Sequence, residues 1–159
     1  MASFFRPYQN KPVCQWVRCY GSHVPSSAVP GGEDCGETTF IGRAEHGDEV
    51  LPGKVLASHS CCYVAYYGAE HKHREYQVLV CDGTPLAWVP ASNGSVPNGA
   101  IQGGACRNGE PLYIGRTYHK NTLTPGKVHP SHNCLYVPSG GYEHRYTNYE
   151  VLVCKTINF

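Results

Sequence analysis

The sequence predicts an all-β fold, and three observations carry that expectation. Gly (18), Pro (12) and Tyr (12) are abundant while Met occurs once, a mix that favours short strands joined by many turns. No stretch of ten or more residues keeps a helical period without a Gly or Pro breaking it. The chain also repeats itself at a period of about 72 residues, too short for a large independent core.

The repeat is read by self-comparison. Trp16-Val17 matches Trp88-Val89, Val24-Pro25 matches Val96-Pro97, and Gly31-Gly32 matches Gly103-Gly104, all at an offset of 72. From Gly36 onward the offset is 73, so the second copy carries one extra residue just after its Gly-Gly pair. Ile41-Gly42-Arg43, Pro52-Gly53-Lys54-Val55, Ser58-His59, Glu70-His71 and Val78-Leu79-Val80-Cys81 all recur at that offset. Identities number 30 of 66 aligned positions.

Each copy divides into strands in order. Residues 16–20 (WVRCY) open it and stop at Gly21. Residues 39–41 lead into Gly42-Arg43, and residues 54–56 follow Pro52-Gly53, expected to be a turn. Residues 62–67 are rich in aromatic and β-branched types, and residues 76–81 close the copy. Turns about every ten residues suggest a sandwich or barrel. The expected arrangement is a pseudo-twofold β-sandwich with a shared core: an extension at 1–14, a first copy at 15–82, a linker at 83–87 and a second copy at 88–159. Phe4, Phe5 and Tyr8 of the extension are expected to pack on the body or on a second subunit.

Composition narrows the partners. Only 16% of residues are charged and the formal net charge is +1, so no basic excess exists to hold nucleic acid. Nowhere do 18 apolar residues run together, so no membrane span is expected. The opening MASFFRPYQNKP lacks the apolar core of a signal peptide, which points to the cytoplasm or to export by an unconventional route. In a reducing compartment the nine cysteines are expected to stay as thiols.

These motifs, in this order in both copies over residues 16–154, resemble the DM9 repeat. The resemblance implies a tandem β-sandwich and a mannose-recognising lectin of innate pattern recognition, often a homodimer. It implies that mannose is held by an acid after the Gly-Gly pair and by the Lys of Pro-Gly-Lys. The lysines are Lys54 and Lys127; the acid is Glu33 by its distance to Lys54 or Asp34 by its place after Gly-Gly. In the second copy Cys106, with Ala105 before it, stands where the acid would be, so the first copy is the expected better site.

The chemistry fits these residue types. A carboxylate accepts two O–H hydrogen bonds and an ammonium donates three, so the pair clamps vicinal hydroxyls without a metal or cofactor. Arg43 and Arg116 are further candidates, with Glu70 and Glu143 as expected bidentate partners. His59, His71, His132 and His144 recur and are expected to be structural; Trp16 and Trp88 are expected to be buried, and Tyr142 to lie in a Gly-rich turn. The cysteines form no C-x-x-C pair, so no metal is expected. No nucleophile elbow, phosphate loop or metalloprotease motif appears, so no catalysis is expected. The alternative is an intracellular scaffold or stress-response protein that binds a protein or lipid partner.

Overall fold

Among the described residues fourteen strands form one sheet, and twelve of them pair into a path that reads the same from either end. The computed structural model describes residues 14–82 and 85–155, so the expected packing of Phe4, Phe5 and Tyr8 lies outside the described residues. The first copy contributes β1 (Cys14–Tyr20), β2 (Pro30–Asp34), β3 (Glu37–His46), β4 (Glu49–Leu56), β5 (Cys61–Tyr66), β6 (Ala69–His73) and β7 (Glu75–Cys81). The second contributes β8 (Leu86–Ser92), β9 (Gln102–Ala105), β10 (Pro111–His119), β11 (Thr122–His129), β12 (Cys134–Ser139), β13 (Tyr142–Tyr146) and β14 (Asn148–Cys154). The order is β1-β7-β3-β4-β5-β6-β13-β12-β11-β10-β14-β8, with β2 beside β3 and β9 beside β10 and β4.

The midpoint of that path is the junction of β6 and β13. It is a reciprocal pair of backbone bonds: Glu70 N–H donates to Gly141 O at 3.0 Å and Glu143 N–H donates to Gly68 O at 2.9 Å. Strands β7 and β14 are apolar on consecutive residues because both their faces are covered. Val78 joins a cluster with Leu51, Val55 and Val64, while Leu79 joins Val29, Ile41, Ile114 and Leu152 from both copies. Ile41, Leu79, Ile114 and Leu152 are at most 1% exposed, and each stabilises the shared core by about 1.5–3 kcal/mol.

The Gly-Gly pairs explain how the copies approach so closely. A Cβ on Gly32 would lie 1.9 Å from Leu123 O, and one on Gly104 would lie 2.0 Å from Val50 O. Each pair is therefore a strand segment laid against the other copy, not a turn. Pro52-Gly53 is likewise no turn but the middle of β4. β5 pairs only with Lys54, Val55 and Leu56, so Pro52 falls beyond that ladder and its missing N–H costs no bond there.

The cysteines also depart from expectation. Cys14 and Cys81 face each other across β1 and β7 and form a disulfide; the other seven are thiols. At the corresponding place in the second copy Leu86 faces Cys154, which leaves that thiol without a bonding partner for a disulfide. Tyr142 opens β13 and is 66% exposed. Among the described residues no helix is long and apolar enough to cross a membrane.

Candidate functional site

Two lysines sit at equivalent places on β4 and β11, and both are buried in spite of their charge: Lys54 is 4% exposed and Lys127 5%. A buried ammonium is tolerated only where carboxylates face it. Around Lys54 these are Asp34 Oδ2 at 3.9 Å and Glu70 Oε2 at 3.8 Å. Glu33 is exposed, because successive side chains of β2 point to opposite faces, so Asp34 is the acid that meets the lysine.

Around Lys127 the carboxylate is Glu143 Oε2 at 3.6 Å. Burial lowers the Lys127 pKa, and the charges of Glu143 and of Glu49, a first-copy residue, oppose that shift. The second lysine thus has an acid after all, although Cys106 replaces the one expected. The rings of Tyr66 and Tyr136 each lie 5.5 Å from its ammonium. Lys127, Glu143, Glu49, Tyr66, Tyr67 and Tyr136 line a groove of about 470 Å³, built from both copies.

Glu70 and Glu143 owe their positions to the central junction. Glu70 Oε1 accepts from Gly141 N–H at 3.0 Å, and Glu143 Oε1 accepts from Gly68 N–H at 3.1 Å. One oxygen of each is thereby fixed by the opposite copy and the other faces its lysine. Convergence of these residues depends on β6 meeting β13, which no short-range sequence signal reports.

The expected pairing of Arg43 with Glu70, and of Arg116 with Glu143, is not made. Arg43 Nε donates to Gln77 Oε1 at 2.7 Å and Nη1 to Gly103 O at 3.5 Å, with its guanidinium 4.2 Å from the Trp16 ring centre. Arg116 Nε donates to Glu150 Oε1 at 2.9 Å and Nη1 to Gly31 O at 3.0 Å, lying 3.9 Å from the Trp88 ring centre. The reason is register: β3 borders β7 at Arg43, whereas Glu70 lies on β6, beyond β4 and β5. Both arginines therefore fasten the Gly-Gly strand of the other copy. Trp16 and Trp88 are half-buried beneath them rather than fully buried.

The recurring histidines all have partners. His59 Nδ1 and Tyr63 Oη share a hydrogen bond of 2.8 Å, and His132 Nδ1 and Tyr136 Oη one of 3.0 Å. Burial pushes the Tyr136 phenol up to about 12, so it stays protonated over the physiological range. His71 Nε2 lies 3.3 Å from Tyr66 O, and His144 Nε2 lies 2.9 Å from Ser139 O.

Sequence reasoning missed Glu37 and Glu110, although both recur at the offset of 73. Glu37 accepts from the backbone N–H and hydroxyl of Ser58. Glu110 accepts from Ser131 N–H at 2.8 Å and Ser131 Oγ at 2.7 Å. Only in the second copy does a histidine join, with His129 Nε2 3.2 Å from Glu110 Oε1. A larger groove of about 810 Å³, along Arg18, Arg43, His73 and Gln77, contains neither lysine.

Comparison with known proteins gives consistent results. The family model for the DM9 repeat matches residues 33–146. Natterin-4 of Thalassophryne nattereri is 31% identical over 150 residues, covering 91% of this chain and 35% of the relative. Natterin-3 of the same organism is 38% identical over 93 residues, covering 57% of this chain and 23% of the relative. The chain thus spans about a third or less of these curated relatives. The nematode sperm cell motility protein MFP2B shares the fold with a TM-score of 0.66 at 12% identity, over 89% of this chain and 47% of that one.

Proposed function

The chain belongs to the DM9 repeat family, and from that premise we propose that it is a non-catalytic, tandem two-repeat lectin that binds mannose-type glycans at Lys54 and Lys127. The observation that carries this reading is the spacing around Lys54. Its ammonium stands 3.9 Å from Asp34 and 3.8 Å from Glu70, wider than the ~2.7–2.9 Å of a charge-assisted hydrogen bond. Donors and acceptors of opposite kind are thus held close without consuming one another. A pair of neighbouring sugar hydroxyls, each both donor and acceptor, satisfies both sides at once.

Absence of catalysis belongs to the same proposal. Glu70 and Glu143 each face an ammonium and accept a backbone N–H, an environment that binds hydroxyls rather than one that holds a carboxylic acid for proton donation. Homodimerisation would add avidity to two weak sites, as pattern recognition on a glycan-coated surface requires.

Calorimetric titration with methyl α-mannoside tests the reading. Lys54→Ala is expected to weaken binding at its site at least about tenfold, the effect of losing roughly one charged hydrogen bond. Full affinity retained in both Lys54→Ala and Lys127→Ala would remove both sites from the account.

A further inference from the structure

One cluster beside Lys127 is left unused by the lysine sites. Cys106 Sγ, Glu110 Oε1 and His129 Nε2 lie within 4.8 Å of one another. The sulfur is 3.6 Å from Nε2, and Nε2 is 3.2 Å from the carboxylate oxygen. A tetrahedral zinc ion, with bonds of about 2.3 Å to sulfur and about 2.0–2.1 Å to nitrogen and oxygen, sets S···N and N···O edges of roughly 3.6 and 3.3 Å. The separations match both edges.

We propose that Cys106, Glu110 and His129 form a binding site for a divalent transition metal of zinc type, present in the second copy alone. This departs from the absence of metal expected from a sequence without a C-x-x-C pair.

Comparison of the copies separates this cluster from the shared architecture. The glutamate recurs as Glu37 with the same Ser58 contacts, so it belongs to the fold in both copies. The other two positions hold Asp34 and Leu56 in the first copy. The second copy has therefore exchanged both neighbours of a common carboxylate, one to a thiol and the other to an imidazole.

The surroundings suit a metal. Ser131 holds Glu110 through two hydrogen bonds, and the ring of His132 stacks on that of His129 with centroids 3.5 Å apart, fixing both ligands from behind. His129 is 8% exposed, and its Nδ1 is buried without a hydrogen-bond partner. Nε2 is the ring nitrogen turned toward Cys106 and Glu110, and ligation through it places the ring proton on Nδ1. Burial lowers the His129 pKa, which favours the neutral imidazole that binds metals. A thiolate and a carboxylate together balance a divalent charge, while the nearby Lys127 is already matched by Glu143. Burial and the charges of Glu49 and Glu110 raise the Cys106 thiol. Metal binding must therefore displace that proton to solvent as the S–metal bond forms. All three residues line the Lys127 groove, so a fourth position is reached from there.

Cobalt(II) titration of the full chain in metal-free, oxygen-free buffer tests this site. The expected result is a thiolate-to-cobalt charge-transfer band and intense tetrahedral d–d bands, saturating at one ion per chain and displaced by zinc. Cys106→Ser should abolish the charge-transfer band. His129→Leu, which installs the residue found at that place in the first copy, should weaken binding at least about tenfold. Cys35→Ser should change nothing. The absence of saturable binding, a charge-transfer band that survives Cys106→Ser, or one lost with Cys35→Ser would overturn the proposal. Far-UV circular dichroism of each variant separates lost ligation from lost folding, and either ligand variant suffices alone.

Discussion

At Lys127 the energetics of burial set what the residue does. Taking an ammonium out of water costs several kcal/mol, and Glu143 at 3.6 Å offsets much of that. Glu143→Gln should therefore destabilise the fold by about 2–4 kcal/mol, read as a lower urea midpoint, with Glu49 softening the loss. The buried histidines add a pH dependence. Burial holds His119 and His129 below their ordinary 6.5. Below pH 6.5 the unfolded chain then binds more protons than the folded one, so stability must fall as pH falls from there. Unfolding free energy measured from pH 7.5 to 5 should decrease, and His129→Leu should flatten the slope. The two lysines were legible in the sequence because Pro-Gly-Lys recurs. The choice between Glu33 and Asp34 was not, because it depends on which face of β2 each occupies. The partners of Arg43 and Arg116 are not legible for a related reason: Gln77 and Glu150 are set by strand order.

At the scale of elements, the least conspicuous strands carry the most chemistry. β5 and β7 announce themselves through apolar, aromatic and β-branched residues. β2 (PGGED) and β6 (AEHKH) do not, yet they deliver Asp34 and Glu70 to Lys54. β2 is legible only as a Gly-Gly pair, and its purpose appears once Gly32 is seen against Leu123 O of the other copy. Gly32→Ala should cost at least about 3 kcal/mol, since backbone on both sides must shift, and thermal melting would register it. A much smaller loss would mean that the two copies do not approach through this strand. The edge strand β1 has a second support in the Cys14–Cys81 disulfide, which closes a separation of 67 residues. Cys14→Ser should lower stability by about 2–4 kcal/mol. Its counterpart β8, facing β14 with Leu86 opposite Cys154, has no such cross-link at that position and is held by its ladder and by Leu86 packing on the shared core.

For the whole molecule, the sheet path turns about the junction of β6 and β13, and each lysine site borrows from the opposite copy. Glu70 is positioned by Gly141, Glu143 by Gly68, and the Lys127 groove takes Glu49, Tyr66 and Tyr67 from the first copy. The duplication was plain in the sequence, and so were the all-β class and a core shared between copies. The composite nature of the sites was not, because it arises from the meeting of two distant strands rather than from any local spacing. The most direct measurement is a crystal structure with methyl α-mannoside. The account predicts sugar hydroxyls within hydrogen-bond distance of Lys54 Nζ, between Asp34 and Glu70. A sugar seated instead in the groove along Arg18 and Arg43, or no bound sugar at saturating concentration, would contradict it.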